Sequence, residues 1–355
     1  MTHREFDGLL TGLLAAWRRA RRGKRRRPDV ARFEIDAERH LVVLRDEISS
    51  RRYRPGPYAV FTLREPVTRS IAALGFRDRV VQHYVMATLA PRIERSLVPQ
   101  TWACLPKRGS HRALGWAAVQ CRRHRWCLRL DVRKFFPSVD HAVLRGLLSA
   151  VVARDEPSLR WLCDVFLDHP GPFERSRLWF AGDDLFAALR PRGLPIGNLT
   201  SQWWANLMLS PLDHLLANHL GVRDFARYMD DVVVFDDDRA RLERIWRAWA
   251  DGAEALRLRA HPVKCGIAAT RDGFGFLGFR LRRTDDGVAV RLADASIERF
   301  RQRMAGLVLL YEAGAVDASV VRSHVAAWLG HAKHGHTRGL CEQVLAEFTF
   351  VRRPL

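Results

Sequence analysis

Phe225–Phe235 reads FARYMDDVVVF. Aromatic and β-branched residues flank two adjacent carboxylates, Asp230 and Asp231. Such residues favour pleated, buried strands, so the stretch predicts an apolar hairpin with two acids at its tip. An unpaired buried carboxylate costs several kcal/mol, and the pair therefore demands a cation or solvent. A tip that faces a cleft offers a divalent ion the oxygen ligands it prefers. A surface hairpin with acidic turn residues is the plainer alternative.

Upstream, Trp126–Val132 (WCLRLDV) alternates as a buried strand that ends at Asp131, and Val132, Arg133, Lys134, Phe135, Phe136 and Pro137 follow. A lone aspartate at a strand end is more often a cap or a surface group. With the hairpin about a hundred residues later, two strands can bring three carboxylates together, which two-metal phosphoryl transfer requires. Helical periodicity is expected over 3–22, 37–50, 78–90, 111–124, 139–153, 157–168, 199–219, 239–256 and most of 293–355. Short strands are expected at 59–64, 69–74 and within 266–282, and Tyr53–Tyr58 (YRPGPY) breaks the chain. This irregular mixture predicts an α+β fold rather than a doubly wound sheet.

The chain has 355 residues, 48% of them hydrophobic, which excludes a disordered protein. It carries 59 Lys and Arg against 39 Asp and Glu, a net charge of +20. A globular chain this basic faces a polyanion, most often nucleic acid, and a solvated basic surface is the alternative. Only Lys24, Lys107, Lys134, Lys264 and Lys333 are lysines, and a lysine can give up a proton where arginine cannot. The run Arg18–Arg27 (RRARRGKRRR) is expected to be mobile or bound to phosphate. The cysteines at 104, 121, 127, 163, 265 and 341 form no CxxC pair; Cys121 and Cys127 lie near His124, but further zinc ligands are missing, so reduced thiols are expected. No apolar run spans a bilayer and the N-terminus lacks a signal-peptide pattern, so a soluble, cytosolic protein with no membrane partner is expected.

Asp131 to Phe136 resembles motif A of reverse transcriptases, and Tyr228–Asp231 (YMDD) resembles their motif C. Between them, Gly193–Gln202 (GLPIGNLTSQ) with Ala205 and Asn206 resembles motif B. Lys264 within Leu258–Cys265 is similar to motif D, and Phe276–Phe279 (FLGF) to motif E. Upstream, Arg64, Arg69 and Arg77–Gln82 (RDRVVQ) resemble the basic fingers region. The order agrees, and the resemblance covers almost the whole chain.

That resemblance implies a right-hand polymerase: fingers over 1–120 with an insertion at 142–200, palm over 121–141 and 201–285, helical thumb over 286–355. It implies RNA-directed DNA synthesis from dNTPs with two Mg²⁺ ions, for which Mn²⁺ can substitute. Asp131, Asp230 and Asp231 would hold the metals with the Val132 carbonyl. Phe136 stands at the steric gate that rejects a ribose 2′-hydroxyl; core packing is the alternative. Arg64 and Arg69 would clamp the triphosphate, or be ordinary surface cations. Lys264 is the candidate general acid for pyrophosphate departure, or a solvated lysine. Ile196, Gly197 and Gln202 would border the nascent base pair.

Motif B in the form IGNLTSQ is most similar to that of diversity-generating retroelement enzymes, which copy a template-repeat RNA with errors at adenine. Two stretches support that likeness, Ala20–Ile35 (ARRGKRRRPDVARFEI) and Leu329–Leu340 (LGHAKHGHTRGL). Met229 departs from the valine common in that group. The likeness implies a structured template RNA, an RNA/DNA hybrid and a small basic accessory protein as partners. The length leaves no room for an RNase H domain, so RNA removal is expected from other proteins. An antiphage-defence enzyme shares every catalytic motif. A group II intron-like enzyme is disfavoured by Ile196 and Gln202. A non-catalytic RNA-binding scaffold is disfavoured by the three intact aspartates.

Overall fold

Hydrophobic alternation on both faces of one sheet organises the molecule. A computed structural model describes residues 3–63 and 69–352. The N-terminal part comprises α1 (His3–Ala20), α2 (Pro28–Ile35), α3 (Ala37–Ser49), β1 (Ala59–Leu63), β2 (Arg69–Ala73) and α4 (Phe76–Ser96). Then come α5 (Ser110–Arg123), β3 (Trp126–Leu130), α6 (Phe135–Ser138), α7 (His141–Val151), α8 (Pro157–Asp168) and α9 (Leu185–Ala188). Next are α10 (Leu199–His214), β4 (Phe225–Tyr228), β5 (Asp231–Asp236), α11 (Arg239–Ala255) and β6 (Gly266–Ala269). The chain closes with β7 (Phe274–Phe276), β8 (Phe279–Arg283), β9 (Val288–Leu292), α12 (Asp294–Glu312), α13 (Ala318–Ala332) and α14 (Arg338–Ala346).

The central antiparallel sheet runs β4-β5-β3-β6. Successive side chains on a strand point to opposite faces, and here both faces are covered. Leu128, Leu130, Phe225, Val232 and Val234 enter one core with α4, α7, α10 and α11. Cys127, Ala226, Val233 and Phe235 enter a second core with α5, the sheet β7-β8-β9 and α12–α14. Each fully buried valine, leucine or phenylalanine contributes about 1.5–3 kcal/mol. Two cores share the sheet, so its register is held from both sides, and a one-residue slip would exchange the faces. The fold is α+β with antiparallel sheets, as the residue pattern predicts.

Four details differ from expectation. The helix expected over 78–90 runs from Phe76 to Ser96, through Pro91. Proline removes one helical hydrogen bond, but the buried stripe Val85, Leu89 and Ile93 continues across it. Strand β9 was not expected, although Val288, Val290 and Leu292 alternate after a turn at Asp285–Gly287. The long helix α10 extends as a π-helix over Leu215–His219, where the Leu220 N–H reaches the Leu215 carbonyl at 2.9 Å. The basic run is not a free tail. Arg21 and Arg25 both grip Glu34, at 2.9 and 3.1 Å, and Arg21 stacks on Trp17.

Among the described residues no helix is long and apolar enough to cross a membrane. All six cysteines are free thiols, and His124 lies 3.4 Å from both Asp224 and Asp237.

Candidate active site

The strand β3 stops at Leu130, and Asp131 follows it directly. Its backbone is held by the turn before β6. The His261 N–H donates to the Asp131 carbonyl at 2.7 Å, and the Asp131 N–H donates to Cys265 Sγ at 3.3 Å. Val132 bridges to Ala260 and is buried. On the neighbouring strands, Tyr228 pairs with Asp231 across a two-residue turn of Met229 and Asp230. Met229 has φ +55°, the sign a tight hairpin turn needs at its first central residue. Because β5 pairs with β3, the turn's acids are brought to the end of the strand that Asp131 follows.

The three aspartates interact electrostatically. Burial raises the Asp230 carboxyl above its ordinary range, and the Asp131 charge adds to the effect. Burial pushes Asp231 up to about 7; Asp131 and Asp230 add to the rise, while Arg129 and the Leu277 N–H oppose it. One oxygen of Asp131 and one of Asp231, Oδ1 in each, are buried without a hydrogen-bond partner. Such orphaned acceptors cost about 1–3 kcal/mol or more each. An all-oxygen donor set with unsatisfied anionic atoms suits a hard divalent cation, so the residues fit the expected metal. Among the described residues, no three histidine, cysteine or acidic side chains converge closely enough to enclose an ion by themselves. A cation already sits there: Lys264 Nζ donates to Asp131 Oδ2 at 2.8 Å.

The other expected residues divide. Arg69 is exposed at the start of β2 and close enough to Asp230 to lower its carboxyl. Arg64 lies outside the described residues. Phe136 is half-buried and meets Phe135 edge-on at 5.5 Å, with its carbonyl accepting from the Leu194 N–H at 2.8 Å. The loop carrying Ile196 docks on β2, where the Ala72 N–H donates to the Ile196 carbonyl at 2.9 Å. Gly197 has φ +119°, and a Cβ there would stand 2.7 Å from Ile71 Cγ2, so glycine is demanded twice over. Asn198 latches the same junction: its Oδ1 accepts from the Leu74 N–H and Gln82 Nε2, both at 3.2 Å, and its Nδ2 donates to the Ala72 carbonyl. Gln202 is exposed on the first turn of α10.

Three parts of the arrangement were missed. Arg227, in β4 beside the acids, is 1% exposed and forms a fork on Asp213, with Nη2 at 2.6 Å and Nε at 2.7 Å. Its Nη1 donates to Asn206 Oδ1 at 3.0 Å and to the Met229 carbonyl at 3.1 Å. Thr101 donates to Asp213 at 3.0 Å. This buried network ties the acidic turn to α10. A cation in a strand of otherwise buried residues was the available signal, because it needs a buried anion. Arg129 on β3 favours the ionised form of Asp231, with its Nε buried and unpartnered. The third part is the Leu277 amide, presented to Asp231 by a turn in which Leu277 and Gly278 have φ +51° and +84°.

Residues 66–281 match the family of reverse transcriptases, RNA-dependent DNA polymerases. The chain belongs to that family. This reverse transcriptase is therefore an RNA-directed DNA polymerase by class, and the class uses a divalent metal and dNTPs. The chain is 29% identical over 266 residues to the retron Mx65 reverse transcriptase of Myxococcus xanthus, covering 72% of this chain and 56% of that one. It is 25% identical over 283 residues to the protein YkfC of Escherichia coli, covering 68% and 71% of the two chains. Among solved structures, a telomerase from Candida albicans with a fragment of telomeric RNA aligns with TM-score 0.47 and 12% identity, over 84% of this chain and 56% of that one.

Proposed function

We propose that this reverse transcriptase copies a structured RNA into cDNA at a site built on Asp131, Asp230 and Asp231. The carrying observation is the pair of buried carboxylate oxygens, on Asp131 and Asp231, that lack any partner. Two Mg²⁺ ions, with Mn²⁺ as substitute, would be held by these aspartates and the Val132 carbonyl. Bound there, such ions would supply activation of the primer 3′-hydroxyl and charge neutralisation at the leaving pyrophosphate.

The chain's own groups do the positioning. Arg69 and Arg64 orient the triphosphate, a task that suits forked guanidinium donors. Phe136 excludes the 2′-hydroxyl by its ring. Lys264 balances Asp131, with which it pairs, and would present its ammonium to the leaving group. The division into fingers, palm and thumb follows the ranges given above. Partners are the template RNA, its RNA/DNA hybrid and a small basic accessory protein.

Biological role rests on the base-pair pocket. Ile196 offers shape and no side-chain hydrogen bond, which supports the error-prone reading of a diversity-generating retroelement enzyme. A retron-like role has its own support, the 29% identity to a retron enzyme. Sequencing cDNA from the natural protein and Ile196→Gln on one primed RNA separates the two. The retroelement reading expects more errors at template adenine, reduced by the substitution; about 1.4 kcal/mol of added selectivity is a tenfold change. Equal error rates at all four bases would leave the retron-like reading.

A further inference from the structure

Between α8 and α10 runs an irregular segment, residues 174–180, whose exposure alternates. Arg175, Arg177 and Trp179 face outward, while Ser176, Leu178 and Phe180 are partly covered. Several ties hold it. The Ser176 N–H donates to the Pro137 carbonyl at 2.9 Å, and Lys134 pairs with Glu174 at 2.5 Å. Arg192 Nη1 donates to the Leu178 carbonyl at 2.7 Å, and Arg259 donates to that of Trp179. Phe180 lies beneath the guanidinium groups of Arg192, Arg257 and Arg259, at 4.9–5.9 Å.

The fixed segment closes a cavity of about 220 Å³ with Arg133 and Lys134, which come shortly after Asp131. Its lining holds four cations and a single carboxylate, Glu174, already paired with Lys134. Among the described residues, Arg133, Arg175 and Arg177 have no acidic partner, and Ser176 Oγ is buried without any partner. Guanidinium groups and a free hydroxyl form a phosphate-binding set. Trp179, next in the chain after the lining residue Leu178, is 54% exposed.

We infer that this face seats single-stranded RNA, with a backbone phosphate in the cavity and an unpaired base stacked on Trp179. The assignment rests on the chain's reading as an enzyme that handles RNA. Base faces stack on exposed aromatic rings in a basic groove, and an A-form duplex does not offer them. An apolar protein partner would cover the Trp179 ring but strand three desolvated guanidinium groups. An unpaired RNA strand satisfies both halves of the surface.

Binding by the full chain without nucleotides tests this, independently of whether it polymerises. Labelled unstructured RNA, free or annealed to its complement, is titrated over a KCl series. Replacing Arg175 and Arg177 together by glutamine should lower the salt slope by about 0.7, the share of the one single-strand phosphate they seat. Lysine at both positions should restore it, which a merely misfolded variant would not do. Trp179→Ala should weaken the single strand roughly 5- to 150-fold and leave the duplex nearly unchanged. An unchanged slope, or equal losses on single strand and duplex, overturns the inference. So does a raised KM for dNTPs with unaltered RNA binding, which would assign the cavity to the incoming nucleotide.

Discussion

Arg227→Met removes the guanidinium that joins the acidic hairpin to α10. Asp213, 1% exposed, would keep a buried charge without its partner. Breaking one side of such a pair costs about 3–5 kcal/mol, a large share of the roughly 5–15 kcal/mol that holds a typical protein folded. Asp213→Leu should cost a similar amount for the mirror-image reason. The double variant replaces both charges by apolar groups and should recover about 2–4 kcal/mol of the sum. It does not recover everything, because Asn206 Oδ1 and the Met229 carbonyl lose their donor. Urea unfolding of the four proteins closes the cycle. Additivity within about 0.5 kcal/mol would refute the claim that these two groups hold each other. Arg227→Lys probes function: it keeps the charge but loses the fork, so the turn that carries Asp230 is less firmly held. A displacement of about 1 Å at a reacting centre can cost on the order of 100-fold. Primer extension by this variant should therefore show kcat reduced about 10- to 100-fold, with KM for dNTPs little changed. Full activity in Arg227→Lys would show that the network stabilises the chain without positioning the acids.

Replacing Asp230 and Asp231 together by asparagine should abolish DNA synthesis. Melting in the absence of divalent metal should be unchanged or higher, because the two carboxyls are raised by burial and their ionised forms oppose folding at neutral pH; a large drop in melting temperature would assign them to the core instead. His83 on α4 is pushed down to about 4 from 6.5, by burial first and then by Lys24, Arg19 and Arg79. A depressed histidine resists protonation when folded, so stability should fall as pH drops from about 6.5 to 4. The full shift corresponds to about 3 kcal/mol, reduced to roughly 2 by solvent screening of a partly exposed ring; a denaturation profile of His83→Gln with the same slope would exclude this source. Glutamine at Arg22, Arg26 and Arg27, which are exposed, should weaken RNA binding and flatten its salt dependence, whereas an unaltered slope would make this run a solvated surface.

What could be read from residues alone was what depends on short-range pattern. Alternation marked β3, aromatic and β-branched residues marked β4 and β5, and the contrast between apolar flanks and two acids marked the hairpin tip. Local rules failed where a distant partner decides. Pro91 should end a helix, yet buried side chains on both sides of it carry the helix through. The arginine run looked unpaired because Glu34, which receives two of its members, lies beyond the turn. Arg227 is the most instructive case. Its side-chain partners are contributed from 14 to 126 residues away, and no short window of sequence contains them all. Yet the residue violated a local rule in plain view, as a cation inside a buried strand. Such violations persist where something else compensates them, and functional sites are where that compensation concentrates. Beside the acidic tip, the violation had two readings, an edge strand open to water or a buried counter-charge. β4 is the outer strand of the central sheet, yet Thr101 bridges to Arg227 and the residue is 1% exposed, so a buried anion is required, and Asp213 meets the requirement.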